Sequence, residues 1–479
     1  MLSHCRLFIP LTILISLLVT VNAPPHTQVA QEHIVYLPLV QRAVVAPVAP
    51  FGVEINPRWI ATQSVFARAN ELGVNWVRLR LRSWHTVQPT RDAEYNWAAL
   101  LDFERELIGA RIANLTPIVV IQHSPHWATK TYYDADNQPY QTLCGAIRED
   151  RFEDFARFMQ ALVSRYRQPP FNVQYWELGN EPDVDPRLVP RDEVYGCWGD
   201  SSDPFYGGEH YGNMLRVVTP AIKAVDPSAQ VVMGGLMLDS PNTTTAELGK
   251  PENFLAGVLR AGAGASFDIL AYHAYGYYAD SSIDGDLTNN KWAESGGSVL
   301  GRATFLRTVM ASYGVEKPLM LNETGLLFRS GGVFDDYLQA QADHIVRILA
   351  RAMAADIHSV FWYTLNGPGW HSAGLLDDNQ VPRPAYFAYQ HFIHQTAQRG
   401  SPVPVTDYGP SIEAYRFAHG ADVIDVFWSR EATPQTVRLP RSRVIRMYER
   451  DGAVIPPTIA GGQVVLEVGV SPVYVRRVP

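Results

Sequence analysis

Two glutamates in this chain of 479 residues stand where a carboxylate can do chemistry. Val173 to Asp183 reads V-Q-Y-W-E-L-G-N-E-P-D. Val173, Tyr175, Trp176 and Leu178 make a short run of buried-strand character, and Gly179-Asn180-Glu181-Pro182 closes it with polar groups and a breaker. Pro318 to Gly325, P-L-M-L-N-E-T-G, repeats the design, an apolar run ended by a carboxylate one residue after an asparagine. Glu181 and Glu323 are therefore expected at two strand tips. Paired carboxylates across an acetal are what glycosidic cleavage requires: one protonates the departing oxygen, the other attacks the anomeric carbon or activates water. The acid must keep its proton near neutrality, which burial and a neighbouring carboxylate favour, whereas arginine and hydrogen-bond donors keep the other ionised. Glu181, beside an Asn180 amide able to bind a sugar hydroxyl, is the candidate acid, and Glu323 the candidate ionised partner.

Such a pair needs a scaffold that collects strand ends on one rim. Strand-like runs recur at Phe51–Ile55, Trp76–Leu81, Leu115–Ile121, Val173–Leu178, Gln230–Met233, Phe267–Tyr272, Pro318–Leu321 and Ser359–Tyr363. Helix-period segments lie between or after them, at 97–112, 151–166, 211–225, 252–261, 337–354 and 385–398. Eight strands alternating with helices predict an α/β fold, a closed (β/α)8 TIM barrel over residues 51–398. A doubly wound open sheet would want a glycine-rich phosphate turn after its first strand, and none follows Ile55. In a barrel the site forms at the C-terminal strand ends. Strand two then offers Arg78, Arg80 and Arg82, strand three His123, strand four Asn180 and Glu181, strand six His273 and Tyr275, strand seven Glu323, and strand eight Trp362. Each alone is ordinary: a strand-end histidine is commonly a packing residue, and Asn-Glu-Pro is a common turn. Their joint appearance on one rim carries the weight.

Composition bounds the rest. The formal charge of −8, without a basic block, argues against nucleic acid. Residues 1–30 read as a signal peptide with cleavage after Ala23 or Ala30, or as an uncleaved anchor, and no other run approaches a membrane span. A secreted or cell-surface location is expected. Residues 31–50 form an extended, proline-punctuated linker. With Cys5 in the leader, Cys144 and Cys197 are left as a candidate disulfide, the alternative being two separate thiols. After Gly400 short strand-like runs split by glycine and proline predict an all-β module over 401–479, a small sandwich. Packing against the barrel is its expected role, with glycan binding the alternative. A monomer is expected.

The W-E-L-G-N-E-P run with Glu323 on strand seven resembles the clan of retaining (β/α)8 glycoside hydrolases whose acid/base follows Asn on strand four and whose nucleophile ends strand seven. The resemblance spans about residues 51–398. Arg78, His123, His273, Tyr275 and Trp362 are similar to the pattern of the cellulase-like family 5, with Arg80 the alternative to Arg78. The β-module and Trp127-Ala128 are more like family 39 xylosidases; heparanase-like family 79 is similar at the strand-four motif alone. The resemblance implies a double displacement with Glu323 as nucleophile and Glu181 as acid/base, a carbohydrate substrate of plant cell-wall β-glycan type, and neither metal nor organic cofactor.

Loops leaving the rim carry Tyr132, Tyr133, Trp198, Tyr277, Tyr278, Trp292 and Trp370, of which two or three are expected to touch sugar. A Schiff-base aldolase would need a lysine at a strand tip, but Lys317 begins strand seven at its opposite end. A metal-dependent hydrolase would want histidine pairs early in the chain, and strand one has none. A noncatalytic glycan-binding barrel would gain little from a close pair of repelling carboxylates. A transglycosylase would use the same residues as a hydrolase.

Overall fold

A computed structural model describes residues 50–56, 64–82, 84–134, 136–191, 196–240, 249–279, 283–288, 291–329 and 332–478. The expected leader and all of the linker but Pro50 lie outside them. Strands one to eight, Phe51–Glu54, Trp76–Arg82, Thr116–Gln122, Tyr175–Leu178, Gln230–Leu236, Ile269–Tyr278, Leu319–Phe328 and Ser359–Trp362, close in sequence order into a parallel barrel, strand one pairing with strand eight. The TIM barrel read from the alternation is the fold.

The barrel interior is built in layers. Trp76, Ile118, Val232, Ile269, Ala271, Met320 and Phe361 form an apolar plug, against which Tyr175 packs. Because side chains alternate along a strand, residues two further on face inward again nearer the C-terminal rim. Arg78 follows Trp76, Glu177 follows Tyr175, His273 follows Ala271, Asn322 follows Met320 and Tyr363 follows Phe361 in this way. The ring of polar groups above the plug is thus a consequence of strand parity.

Helices at Ser64–Leu72, Leu101–Ile112, Phe152–Tyr166, Gly208–Val225, Phe254–Arg260, Gly297–Ser312, Phe334–Ala354 and Pro384–Thr396 cover the barrel. Two were not anticipated. Gly297–Ser312 opens on Gly296-Gly297-Ser298, a loop signature, yet it buries Val299, Ala303, Leu306 and Met310 at one-face helical spacing. Ser64–Leu72 buries Val65, Phe66, Ala69 and Leu72. Strands six and seven run past their expected ends and pair from His273 opposite Glu323 to Tyr278 opposite Phe328. Glu323 therefore lies inside an extended strand and not at its tip.

Beyond Gly400 a five-stranded antiparallel sheet, with Ile412–His419, Asp422–Ser429, Val473–Arg477 and Val444–Glu449 as its longer members, faces a three-stranded one of Gln435–Pro440, Gln463–Val468 and Thr458–Ala460. Phe427, Met447 and Val475 of the first meet Val437, Val464 and Leu466 of the second in one core, a small sandwich. The other face of the larger sheet, with Tyr415, Phe417, Trp428 and Tyr474, belongs to the barrel's own hydrophobic core. Arg351, buried on helix Phe334–Ala354, ties the units by pairing with Glu413 of the sandwich and with Asp284 and Asp286 of the loop after strand six.

Candidate active site

Four buried carboxylates and two guanidiniums meet at the C-terminal end of the barrel. Strand pairing sets Glu54 opposite Arg78 and His273 opposite Glu323, with a one-residue bulge at Asn322 of strand seven, between the Tyr272–Leu321 and His273–Glu323 pairs, that re-aims Glu323. Arg78 is at the centre. Its Nε and Nη2 donate to the two oxygens of Glu177, each at 2.8 Å, and Nη2 donates to Asn180 Oδ1 at 2.6 Å. Its Nη1 donates to both Glu54 and Glu323. Arg80 Nη2 donates to Glu323 Oε1 at 2.6 Å. Arg80 Nε stands 2.8 Å from Glu54 Oε1, an ion pair whose N–H is not aimed along the contact.

The two candidate catalytic glutamates have unlike surroundings. The Oε1 atom of Glu323 is taken by both arginines, while Oε2 accepts from the Tyr275 hydroxyl at 2.6 Å and lies 3.5 Å from His273 Nδ1. Burial alone would raise the Glu323 pKa, but His273, Arg80, Arg78 and the Tyr275 hydroxyl together hold it far below the ordinary carboxylate range. Glu181, in a left-handed backbone conformation at φ 52°, meets His273 Nδ1 through Oε1 at 2.8 Å. Its buried Oε2 finds no partner among the described residues. Burial works against a charged His273, yet Glu323 and Glu181 outweigh it and raise the imidazole's pKa. One oxygen of each glutamate and His273 Nδ1 lie within 4.8 Å of one another. Among the described residues these three side chains are the ones that could converge on a cation, but His273 is already engaged with Glu181 and two guanidiniums flank Glu323.

The expected residues divide in two. Glu181, Glu323, Arg78, Asn180, His273 and Tyr275 come together, and Arg80, the alternative to Arg78, joins them. Trp362 does not: one residue beyond inward Phe361, it points outward, 1% exposed, with its indole against His344 and its N–H donating to Ala373 O. This corrects the platform expectation by a single step of strand parity. Tyr363 is the inward residue, 5.9 Å beneath the Arg80 guanidinium and edge-on to Tyr275. Trp127 packs on Trp84 and donates to Gln88 O, contacts that lie outside the carboxylate cluster. His123, at φ 60°, lies with its ring 5.9 Å from that of His85.

Of the seven loop aromatics, Trp198 and Trp292 are buried, Tyr278 stacks on Phe328, Tyr277 lies under Arg329, and the Tyr132 hydroxyl accepts from Ala146 N. These staple loops. Trp370, 46% exposed, stands edge-on to Tyr275 at 5.9 Å, and Tyr133 is exposed on the short strand Tyr132–Tyr133, paired with Pro139–Tyr140. Cys144 and Cys197 are joined, and the bridge anchors Gly196, whose N–H donates to Asn180 O directly behind Glu181.

Sequence reasoning passed over Glu54, Glu177 and Tyr363. A signal for the first two was available: an ionisable residue inside an apolar strand must be paired, so each pointed to an inward arginine. Glu177 also accepts from Asn322 Nδ2 at 2.8 Å, which steers the residue preceding Glu323. Gly235 on strand five fits against this lattice because it has no side chain; a Cβ there would stand 2.3 Å from His273 Nε2 and 2.6 Å from Asn322 Oδ1.

Comparison with known proteins agrees with this architecture. Among solved structures, the chain is similar to a family 39 glycoside hydrolase from the gut symbiont Bacteroides cellulosilyticus WH2 at TM-score 0.64 and 20% identity, over 89% of this chain and 80% of that one. A GH30 endoxylanase from Clostridium papyrosolvens C71 matches at TM-score 0.56 and 12% identity, over 91% and 97%. A GH39 β-xylosidase from Caulobacter crescentus matches at 0.55 and 16%, over 92% and 98%. No curated protein sequence matches the chain. Residues 43–367 match the model of the cellulase family, glycosyl hydrolase family 5. With a parallel eight-stranded barrel carrying its carboxylates at the C-terminal rim, the chain belongs to glycoside hydrolase family 5 and is an O-glycosyl hydrolase.

Proposed function

We propose that this hydrolase acts by a retaining double displacement, with Glu323 as nucleophile and Glu181 as acid/base. The carrying observation is the approach of the two carboxyls, oxygen to oxygen within 4.8 Å. Retaining pairs stand about 5 to 5.5 Å apart, whereas inverting pairs leave about 6.5 to 9.5 Å for a water. Oε2 of Glu323 is the attacking oxygen, since Oε1 is saturated by Arg78 and Arg80. It bonds the anomeric carbon as the glycosidic C–O bond breaks, and Glu181 gives its proton to the leaving oxygen. Glu181 then takes a proton from water, whose oxygen displaces Glu323 from carbon.

His273, within 2.8 Å of Glu181 and 3.5 Å of Glu323, is placed to follow the negative charge as it passes from the nucleophile to the spent acid. Asn180, held through its Oδ1 by Arg78, keeps its NH2 for a sugar hydroxyl. Tyr363 and exposed Trp370, both edge-on to Tyr275, supply aromatic faces for pyranose rings.

The substrate proposed is an extracellular β-glycan of plant cell-wall type. Xylans come first for testing, because the similar structures include an endoxylanase and a β-xylosidase. The leader-like composition of residues 1–30 and the Cys144–Cys197 bridge support export.

The test is reducing-sugar release from xylans, glucans, mannans, arabinans and uronate glycans by wild type, Glu181→Ala and Glu323→Ala, with proton NMR of the first-formed anomer. Loss in both variants and initial retention are expected. Activity surviving Glu323→Ala, or an inverted first product, overturns the mechanism.

A further inference from the structure

Glu54 has no role in the double displacement, yet it is buried in the middle of its charges. It reaches that place because strand one pairs with strand two so that Glu54 stands opposite Arg78, with Arg80 on the same face. Its Oε2 accepts from Arg78 Nη1, the same nitrogen that serves Glu323, and its Oε1 lies 2.8 Å from Arg80 Nε while Arg80 Nη2 serves Glu323. Both guanidiniums thus bridge Glu54 and Glu323.

A guanidinium buried beside a carboxylate that vanishes during the reaction needs a second anion. When Glu323 forms its ester, the negative charge on that side chain is lost, and the charge reappears on Glu181 across the site. Arg78 keeps Glu177 at 2.8 Å, but Arg80 has only Glu54 among the carboxylates described as its partners. Without it, Arg80 would be left buried and unpaired in the intermediate, a costly state.

We propose that Glu54 is a positioning residue: it holds Arg80 and Arg78 in place against the nucleophile and keeps Arg80 paired while Glu323 is an ester. This rests on the retaining reading above. The groups facing Glu54 are Arg78 and Arg80 from strand two, Glu323 from strand seven, Tyr275 from strand six and Tyr363 after strand eight. Burial raises the Glu54 pKa, Arg80 opposes it, Glu323 adds to it and Arg78 opposes it, with a net upward displacement. Glu323 is held far below the ordinary range. Of the two carboxylates that share the arginines, Glu54 is the one set to take a proton first as pH falls, which loosens its grip on Arg80 and Arg78 and is expected to lower kcat/KM along an acid limb.

The experiment compares wild type, Glu54→Gln, Glu54→Asp and Glu323→Ala on the glycan the wild type cleaves, across pH, with thermal unfolding followed in parallel. Glu54→Gln mimics the protonated side chain. Its kcat is expected to fall roughly 10- to 10²-fold, the cost of ångström-scale misplacement, with a small change in KM and without the acid limb. Glu54→Asp keeps the charge at shorter reach and should recover part of the rate. Wild-type kcat with an unchanged acid limb in a folded Glu54→Gln overturns the proposal. A second arm needs no substrate. In protein labelled with carboxyl-¹³C glutamate, the Glu323 resonance, assigned through its loss in Glu323→Ala, should move in Glu54→Gln; a resonance that stays in place overturns the proposal. Should Glu54→Gln fail to fold, both readouts are taken on Glu54→Asp, where an unmoved Glu323 resonance and acid limb overturn it equally. A wild type silent on every glycan would overturn the proposed substrate class, and the ¹³C arm would still decide for Glu54.

Discussion

At the scale of single residues, the site works by giving chemically identical side chains different company. Glu323 is surrounded by two guanidiniums, a phenol and an imidazole, whereas Glu181 has one imidazole contact and an oxygen left open. Glu323→Ala removes the proposed nucleophile and should abolish turnover. Glu181→Ala should cost roughly 10² to 10⁴-fold, most with poor leaving groups, because a good leaving group departs without a proton. A series of aryl glycosides of graded leaving-group acidity measures this directly. Gly235→Ala tests the packing beneath: a Cβ 2.3 Å from His273 Nε2 must push the imidazole off Glu181. The expected result is a kcat loss of roughly 10²-fold with the fold intact by circular dichroism.

At the scale of elements, strand parity decides who reaches the site and loops decide how firmly it is held. Parity places Arg78, Glu177, His273 and Tyr363 inside and turns Trp362 outward onto its helix. The Cys144–Cys197 bridge, closing a sequence separation of 53 residues, fastens the loop whose Gly196 donates to Asn180. Replacing both cysteines by serine should lower stability by about 2 to 4 kcal/mol in denaturant unfolding. Because the freed loop backs Asn180 and Glu181, kcat should fall in the same variant.

At the scale of the molecule, barrel and sandwich share one hydrophobic core. Trp428, Phe417 and Tyr474 of the larger sheet lie in the barrel's core, and Arg351 is shared by Asp284, Asp286 and Glu413. Calorimetry should show a single transition, and a chain ended at Gly400 should be insoluble. Glu413→Gln breaks a buried pair and should cost about 3 to 5 kcal/mol. Burial would raise the carboxyls of Asp284 and Glu413, but Arg351 outweighs it and holds both below their ordinary values. Their contribution to stability is complete above the ordinary carboxylate pKa and is lost as pH falls through the depressed folded values. Asp286, which burial raises to about 6, acts with the opposite sign, its contribution lost as pH rises through that value. The unfolding midpoint should therefore fall on the acid side, and less so in Glu413→Gln.

The sequence by itself determined the strand and helix alternation, the barrel, the β-module and the glutamates at 181 and 323, because hydrophobic period and turn chemistry are local and survive without the fold. Arg78, His273 and Tyr275 were legible on the same ground, as polar residues placed on strand faces. Only the tertiary structure decided which face Trp362 presents, that Tyr363 and Trp370 both meet Tyr275, and that Glu54 and Glu177 belong to the site. These depend on the pairing register of strands far apart in the chain and on charges that make sense only once their partners are beside them. A buried glutamate in an apolar run shows that a partner exists; closure of the barrel is what chooses the arginine.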